Sequence, residues 1–199
     1  MCKKDSLISS ELSCKSTWKP GTLIYPLPAA LISCGNGNEI NIMTVSWLGT
    51  ICTNPPMCYI SVRPERHSYD LIKKNGCFVI NLTNEEMAFA TDWCGVKSGK
   101  DINKFKEMNL TPLKAQVVDA PIIKESPLSI ECEVVEIKEL GSHHMFIANV
   151  VNILADEKYI DKNSGAFDMT KAKLIAYSHG KYYKLGEEIG HFGWSVKKK

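Results

Sequence analysis

Apolar and polar positions along this chain change over in short runs, and most of the apolar runs have the length and composition of strands. Residues 1–20 are polar and mixed, ending in Lys19-Pro20, and read as an arm leading into a domain. Residues 29–34 form an apolar run, and Gly35-Asn36-Gly37-Asn38 supplies residues that tolerate the positive φ of a tight turn. Residues 40–53 follow, rich in Ile, Val, Thr and Trp, so the two runs are expected to pair as a hairpin. Pro55-Pro56 ends that strand and residues 57–62 make a third.

Residues 68–75 predict a short helix closed by Gly76, with Lys73 and Lys74 in the last turn complementing the helix dipole. Residues 77–82 are continuously apolar and predict a buried strand. Thr83 and Glu86 have capping-box spacing for a helix that carries Met87, Ala90, Trp93 and Cys94 at helical intervals and ends at Gly95. Asp101 is placed to cap a turn or helix running through Met108. Residues 128–137 alternate apolar and acidic, but the phase slips at Val134-Val135, which a β-bulge explains. Residues 145–154 are apolar on both faces, as in a central strand, and 174–177 and 182–185 read as short strands. Long non-local strands with small helical insertions predict a mainly β barrel or sandwich with short flanking α-helices. No G-x-G-x-x-G follows a strand, which argues against a Rossmann nicotinamide domain.

The 199 residues, 44% of them hydrophobic, suffice for one domain with a full core and exclude disorder as the dominant state. A net charge of +2 argues against a dedicated nucleic-acid binder, and Lys197-Lys198-Lys199 reads as a solvated tail. No apolar stretch approaches the length of a membrane span, and the opening Met-Cys-Lys-Lys-Asp lacks a signal-peptide core. The eight cysteines include no C-x-x-C pair, so neither a zinc site nor a thioredoxin-type dithiol has a basis. A protein of the reducing cytoplasm, with cysteines used for packing, is expected. A cysteine-based sensor would need Cys52 or Cys94 to be exposed with a depressed pKa.

Three clusters carry candidate chemistry. Arg63-Pro64-Glu65-Arg66-His67-Ser68 lies where a strand gives way to a helix, so either it collects an anion or Ser68 caps the helix and the arginines are surface residues. Ser98-Gly99-Lys100-Asp101-Ile102-Asn103-Lys104-Phe105 offers close backbone approach and two lysines; Lys104 in a first turn opposes the dipole unless an anion is near. In Asn41-Ile42-Met43-Thr44-Val45-Ser46-Trp47 the polar members do not share one face. Either they serve a planar heterocycle with many donors and acceptors, or the strand is half exposed with its hydroxyls in water. His143 and His144 are adjacent on a strand and point to opposite faces, so they do not share one metal.

Taken in order, these motifs resemble the flavoredoxins of the flavin reductase-like, FMN-binding split-barrel family, over roughly residues 20–190. The resemblance rests on residues 41–47, residues 59–62 running into 63–68, residues 78–82, residues 98–105, and Gly141-Ser142-His143. It implies a six-stranded antiparallel Greek-key split β-barrel across residues 21–192, followed by a tail at 193–199, and a homodimer with FMN near the subunit interface. Asn41 and Trp47 would contact the flavin region, with backbone groups of Met43, Thr44, Val45 and Ser46 lining it. Ser68 and Lys104 would hold the phosphate, with Arg63 and Arg66 as further candidates. His143 would hydrogen-bond near the cofactor, and Tyr177, or Tyr182 in its place, would give an aromatic contact. The family often has Thr where Ser68 stands and Arg where Lys100 stands; Ser keeps the hydroxyl and Lys the charge. The implied activity is flavoredoxin-like electron transfer or NAD(P)H:flavin reduction, with NADH, NADPH or a redox protein as donor. A non-catalytic FMN-binding module is the alternative.

Overall fold

The computed structural model describes residues 15–196. Cys2, Cys14, most of the expected N-terminal arm and the lysines at 197–199 lie outside the described residues. Strands β1 (Leu27–Pro28), β2 (Ala30–Cys34), β3 (Asn41–Val45), β4 (Leu48–Thr53) and β5 (Pro56–Val62) lead into helix α1 (His67–Asn75) and strand β6 (Cys77–Leu82). Helices α2 (Ala88–Val96) and α3 (Lys104–Glu107) precede the small strands β7 (Pro112–Lys114) and β8 (Pro121–Ile123). The long strands β9 (Leu128–Glu139) and β10 (His144–Ala155) then give way to helix α4 (Met169–Ala172) and a hairpin of β11 (Ile175–Ser178) and β12 (Lys181–Lys184).

The order of the main sheet explains its shape. It has seven antiparallel strands, β3-β2-β6-β9-β10-β5-β4. Its two end strands, β3 and β4, are consecutive in the chain and separated only by Ser46 and Trp47. A sheet whose ends are joined by two residues has to curl until the ends meet, and this closes a barrel. The ends do not pair with each other: β3 bonds to β2 and β4 to β5, and Ser61 N donates to Trp47 O at 2.8 Å, which carries the β4–β5 ladder up to the seam. The barrel is therefore split at Ser46-Trp47. The expectation of one strand over residues 40–53 and six strands in all is corrected here, because closure breaks that strand at the seam. Two smaller sheets, β1-β11-β12 and β7-β8, flank the barrel.

The interior of the barrel is filled by Ile32, Met43, Ile60, Phe78, Ile80 and Phe146, all buried. The opposite faces of β2 and β3 are covered as well, with Leu31 and Ile42 packed against Met87 and Cys94 and against Phe105 of α3. Burial on both faces is why these strands read as unbroken apolar runs. The slip at Val134-Val135 is a bulge: Glu136 opposes Ile147 and Val134 opposes Ala148, leaving Val135 as the extra residue. β10 is central, pairing with β9 on one side and β5 on the other.

The helices match in position but differ in how they start. α1 ends as expected, with Gly76 at φ 68° and its N–H bonded to Ile72 O. The Thr83/Glu86 capping box does not form. Thr83 Oγ1 donates to Ala29 O instead, Asn84 Oδ1 receives Met87 N, and α2 begins at Ala88 and runs through Gly95. α3 is capped by Asn103, which accepts from Lys106 N, and not by Asp101. Among the described residues no helix is long and apolar enough to cross a membrane.

Candidate functional site

The seam of the barrel opens into a cavity of two lobes. The larger, about 640 Å³, is lined by Met43, Thr44, Val45, Ser46 and Trp47 on one wall and by Arg63, Arg66, His143, Tyr177 and Tyr182 around it. The smaller, about 430 Å³, is lined by Asn41, Ser68, Gly99 and Lys104. Met43, Arg63, Arg66 and Val96 belong to both, so the lobes form one continuous space. All twelve residues singled out in the sequence line this space, although they come from β3, the seam, the β5–α1 junction, α1, α3, the turn before β10 and β11.

The small lobe is built to receive negative charge. Asn41 and Ser68 are buried, and Asn41 Nδ2 donates to Ser68 Oγ at 2.8 Å. Ser68 sits in the first turn of α1 and does not cap it; Arg66 holds the cap position without a side-chain bond. Lys104 is only 4% exposed, and its ammonium donates to Cys94 O at 2.7 Å. Among the described residues that is its one hydrogen bond, which leaves two N–H groups for a ligand. Burial, assisted by repulsion from the Arg66 guanidinium, holds the Lys104 ammonium below the ordinary lysine value. Arg66 Nη1 in turn donates to Gly95 O at 3.0 Å. Both cations are thus held by carbonyls in the last turn of α2, the end of a helix that attracts positive charge. Arg63 is more exposed and pairs with Glu65 at 3.2 Å.

The large lobe is flatter and more aromatic. β3 is buried along most of its length, which overturns the reading of a half-exposed strand with its hydroxyls in water. Thr44 Oγ1 donates to Thr91 O of α2, and a Cβ on Gly95 would meet Thr44 Cβ at 3.2 Å, so α2 presses directly on this wall. The His143 ring lies against Trp47, with centroids 4.5 Å apart and planes tilted by 41°. Partial burial and the positive charges of Arg63 and Arg66 hold the His143 imidazole below its usual value, with Glu65 opposing, so it is neutral at pH 7. His144 points elsewhere, its Nδ1 2.8 Å from the Tyr69 hydroxyl. Tyr177 and Tyr182 both line the lobe, their ring centroids 5.5 Å apart and their planes tilted by 59°.

Tyr25, Asp92 and Gly95 also line the large lobe, and the sequence gives no local signal for them. The cysteines are largely packing. Cys34, Cys58, Cys77, Cys94 and Cys132 are buried free thiols. Burial pushes the Cys94 thiol up to about 11, the reverse of what a reactive sensor requires.

Comparison with known proteins adds the following. Residues 22–186 match the family described as Flavin reductase like domain. The flavoredoxin of Desulfovibrio vulgaris (Miyazaki F) is 29% identical and superposes with a TM-score of 0.85, covering 92% of this chain and 100% of that one. Flavoredoxin from Methanosarcina acetivorans is 26% identical with a TM-score of 0.84, covering 92% and 97%. An uncharacterized protein of Pyrococcus abyssi is 35% identical over 129 residues, 65% of this chain and 74% of its own.

Proposed function

This chain belongs to the flavin reductase-like domain family, and from that premise we propose that it is an FMN-dependent oxidoreductase of the flavoredoxin or NAD(P)H:flavin reductase type. The observation that carries the proposal is the buried Lys104 ammonium, which stands with the Asn41–Ser68 pair at the closed end of a slot whose open end is a strand edge and aromatic rings. A buried cation with unused donors costs free energy unless an anion meets it. A phosphate carries a charge of about −1.5 to −2 at neutral pH, by analogy with phosphorylated side chains. The lobe volumes fall in the usual range of cofactor clefts, about 300–1,000 Å³.

In this arrangement Ser68, Asn41 and Lys104 hold the phosphate, and Arg63 and Arg66 add charge at the neck. Backbone groups from Met43 to Ser46 face the ring system, Met43 and Val45 give it apolar contact, and Trp47, His143 and Tyr177 border it. The neutral His143 imidazole offers one donor or one acceptor to a ring heteroatom. When bound, the flavin supplies the redox chemistry itself, and the chain positions it, shields it from water and adjusts its hydrogen bonding. NADH, NADPH or a redox protein is the electron donor, and a soluble flavin, a metal complex or a protein takes the electrons. The free thiols fit a reducing cytoplasm, and a homodimer is part of the same reading.

The test is a visible spectrum of the protein as isolated and after addition of FMN, repeated anaerobically with NADH and then NADPH. The expected result is a yellow protein that bleaches with a nicotinamide donor. Bound flavin without acceleration of NAD(P)H oxidation would reduce the reading to a binding module. A colourless protein that takes up no FMN would overturn it.

A further inference from the structure

Beyond the β11–β12 hairpin the chain runs on as a tail, and residues 187–196 lie outside the stretch that matches the family. The tail has a shape of its own. Trp194 lies on Gly190, where an added Cβ would fall 2.7 Å from the indole. Trp194 N donates to His191 O at 3.1 Å and Val196 N to Gly193 O at 3.3 Å. The turn this makes points its apolar side chains outward: Ile189 is 92% exposed, and Phe192 and Val196 also stand in solvent. A single apolar residue on a surface needs no explanation, but several on one bonded turn form a hook, and among the described residues none of its own chain covers it.

The same chain carries an apolar groove away from the seam. It measures about 310 Å³ and is lined by Leu27, Pro28, Leu82, Met169, Leu174 and Leu185, between β1, β11 and α4. Thr83 is the one polar residue in its lining, and the Thr83 hydroxyl already donates to Ala29 O. The tail departs from this groove at Leu185, yet none of residues 186–196 lines it. Apolar hook and apolar hole therefore do not meet within one chain. We propose that they meet between two: the hook at Ile189 and Phe192 seats in the β1–β11–α4 groove of a second copy of this chain, and reciprocally, so that each tail clasps the other subunit. A two-fold axis closes such an exchange. The charges agree with it. Glu187 and Glu188 precede Ile189, and Lys173, exposed beside Leu174 and without an ion pair among the described residues, stands next to the groove. The inference rests on the homodimer of the functional reading and not on its flavin. Leu27 pairs with Tyr177, so the small sheet that forms part of the groove also brings Tyr177 to the cavity, and the clasp ties assembly to the site.

The test uses full-length protein, sedimented over a range of concentrations. Phe192→Asp spoils the hook and Met169→Asp the groove; both positions are exposed, so neither change is expected to lower the melting temperature of the single chain. The wild type is expected to dimerise, and each variant to raise the dimer dissociation constant about tenfold or more, since a reciprocal pair loses the apolar contact twice. An equimolar mixture of the two variants is expected to associate more tightly than either alone, because the intact tail of one meets the intact groove of the other. Variants that associate as the wild type does would overturn this inference alone. So would a mixture no tighter than its components, the result of a tail that folds back into its own groove. A wild type that stays monomeric would overturn it together with the homodimer.

Discussion

Gly99 rests directly on Asn41: a Cβ added to Gly99 would lie 2.1 Å from Asn41 Oδ1. The loop backbone thereby fixes the amide that donates to Ser68 Oγ, and a side chain at 99 has to move either the loop or Asn41. Gly99→Ala is expected to weaken FMN by about 1–2 kcal/mol, or roughly 5- to 30-fold, by disordering one polar contact of the phosphate lobe. Riboflavin, which lacks the phosphate, is expected to bind as before. Fluorescence titration with both flavins checks this.

Lys104 is costly to the empty protein and useful to the filled one. Removing a buried, under-partnered charge with Lys104→Met is expected to leave the melting temperature of the flavin-free protein unchanged or higher. Because burial lowers the lysine pKa and only the ammonium attracts phosphate, FMN affinity falls as pH rises toward that depressed value. Riboflavin affinity shows no such slope, and Lys104→Met abolishes it for FMN. Titrations between neutral and alkaline pH measure both effects.

Glu131 is a structural counterpart to Lys104. It is fully buried, and its carboxylate receives N–H groups from Gln116, Val117 and Val118 and the side chain of Asn152. Burial alone would raise its pKa, but these bonds outweigh it and hold the carboxyl below the usual range. A carboxylate with a depressed folded pKa gives stability that is present above its unfolded value and lost as pH falls toward the folded one. Glu131→Gln turns an NH₂ group toward backbone donors and is expected to cost about 2–3 kcal/mol at neutral pH. Urea unfolding at pH 7 and at acid pH compares the two proteins; the gap narrows on acidification.

His143 is expected to titrate below the ordinary histidine value of about 6.5. The folded protein takes this proton less readily than the unfolded chain, so protonating it at acid pH works against folding. Arg63→Ala is expected to shift the titration upward, since Arg63 is the largest charge acting on the ring. Imidazole chemical shifts followed against pH give the midpoint directly.

The legible parts of this fold are those with a local cause. The slip at Val134-Val135 shows because one extra residue inverts a two-residue period, and the stop at Gly76 shows because only glycine takes φ 68° cheaply there. The break at Ser46-Trp47 does not show. Its neighbours have strong strand propensity and no glycine or proline marks it; closure of the whole sheet imposes it. Thr83 and Glu86 have the spacing of a cap, but Ala29 O competes for the Thr83 hydroxyl and wins. The cavity divides in the same way. Residues 41–47, 63–68 and 98–104 are contiguous motifs and can be read from their order, whereas Tyr25 and Asp92 reach the lobe singly from distant elements and carry no spacing to detect.

The most direct measurement is a titration of flavin-free protein with FMN and with riboflavin, in the wild type and in the double variant Ser68→Ala/Lys104→Ala. If the phosphate lies among Asn41, Ser68 and Lys104, FMN affinity falls by about 100-fold or more, from two charge-assisted contacts of about 1.5 kcal/mol or more each, and riboflavin affinity does not change. Equal weakening of the two flavins, or a wild-type protein that binds neither, would contradict the account.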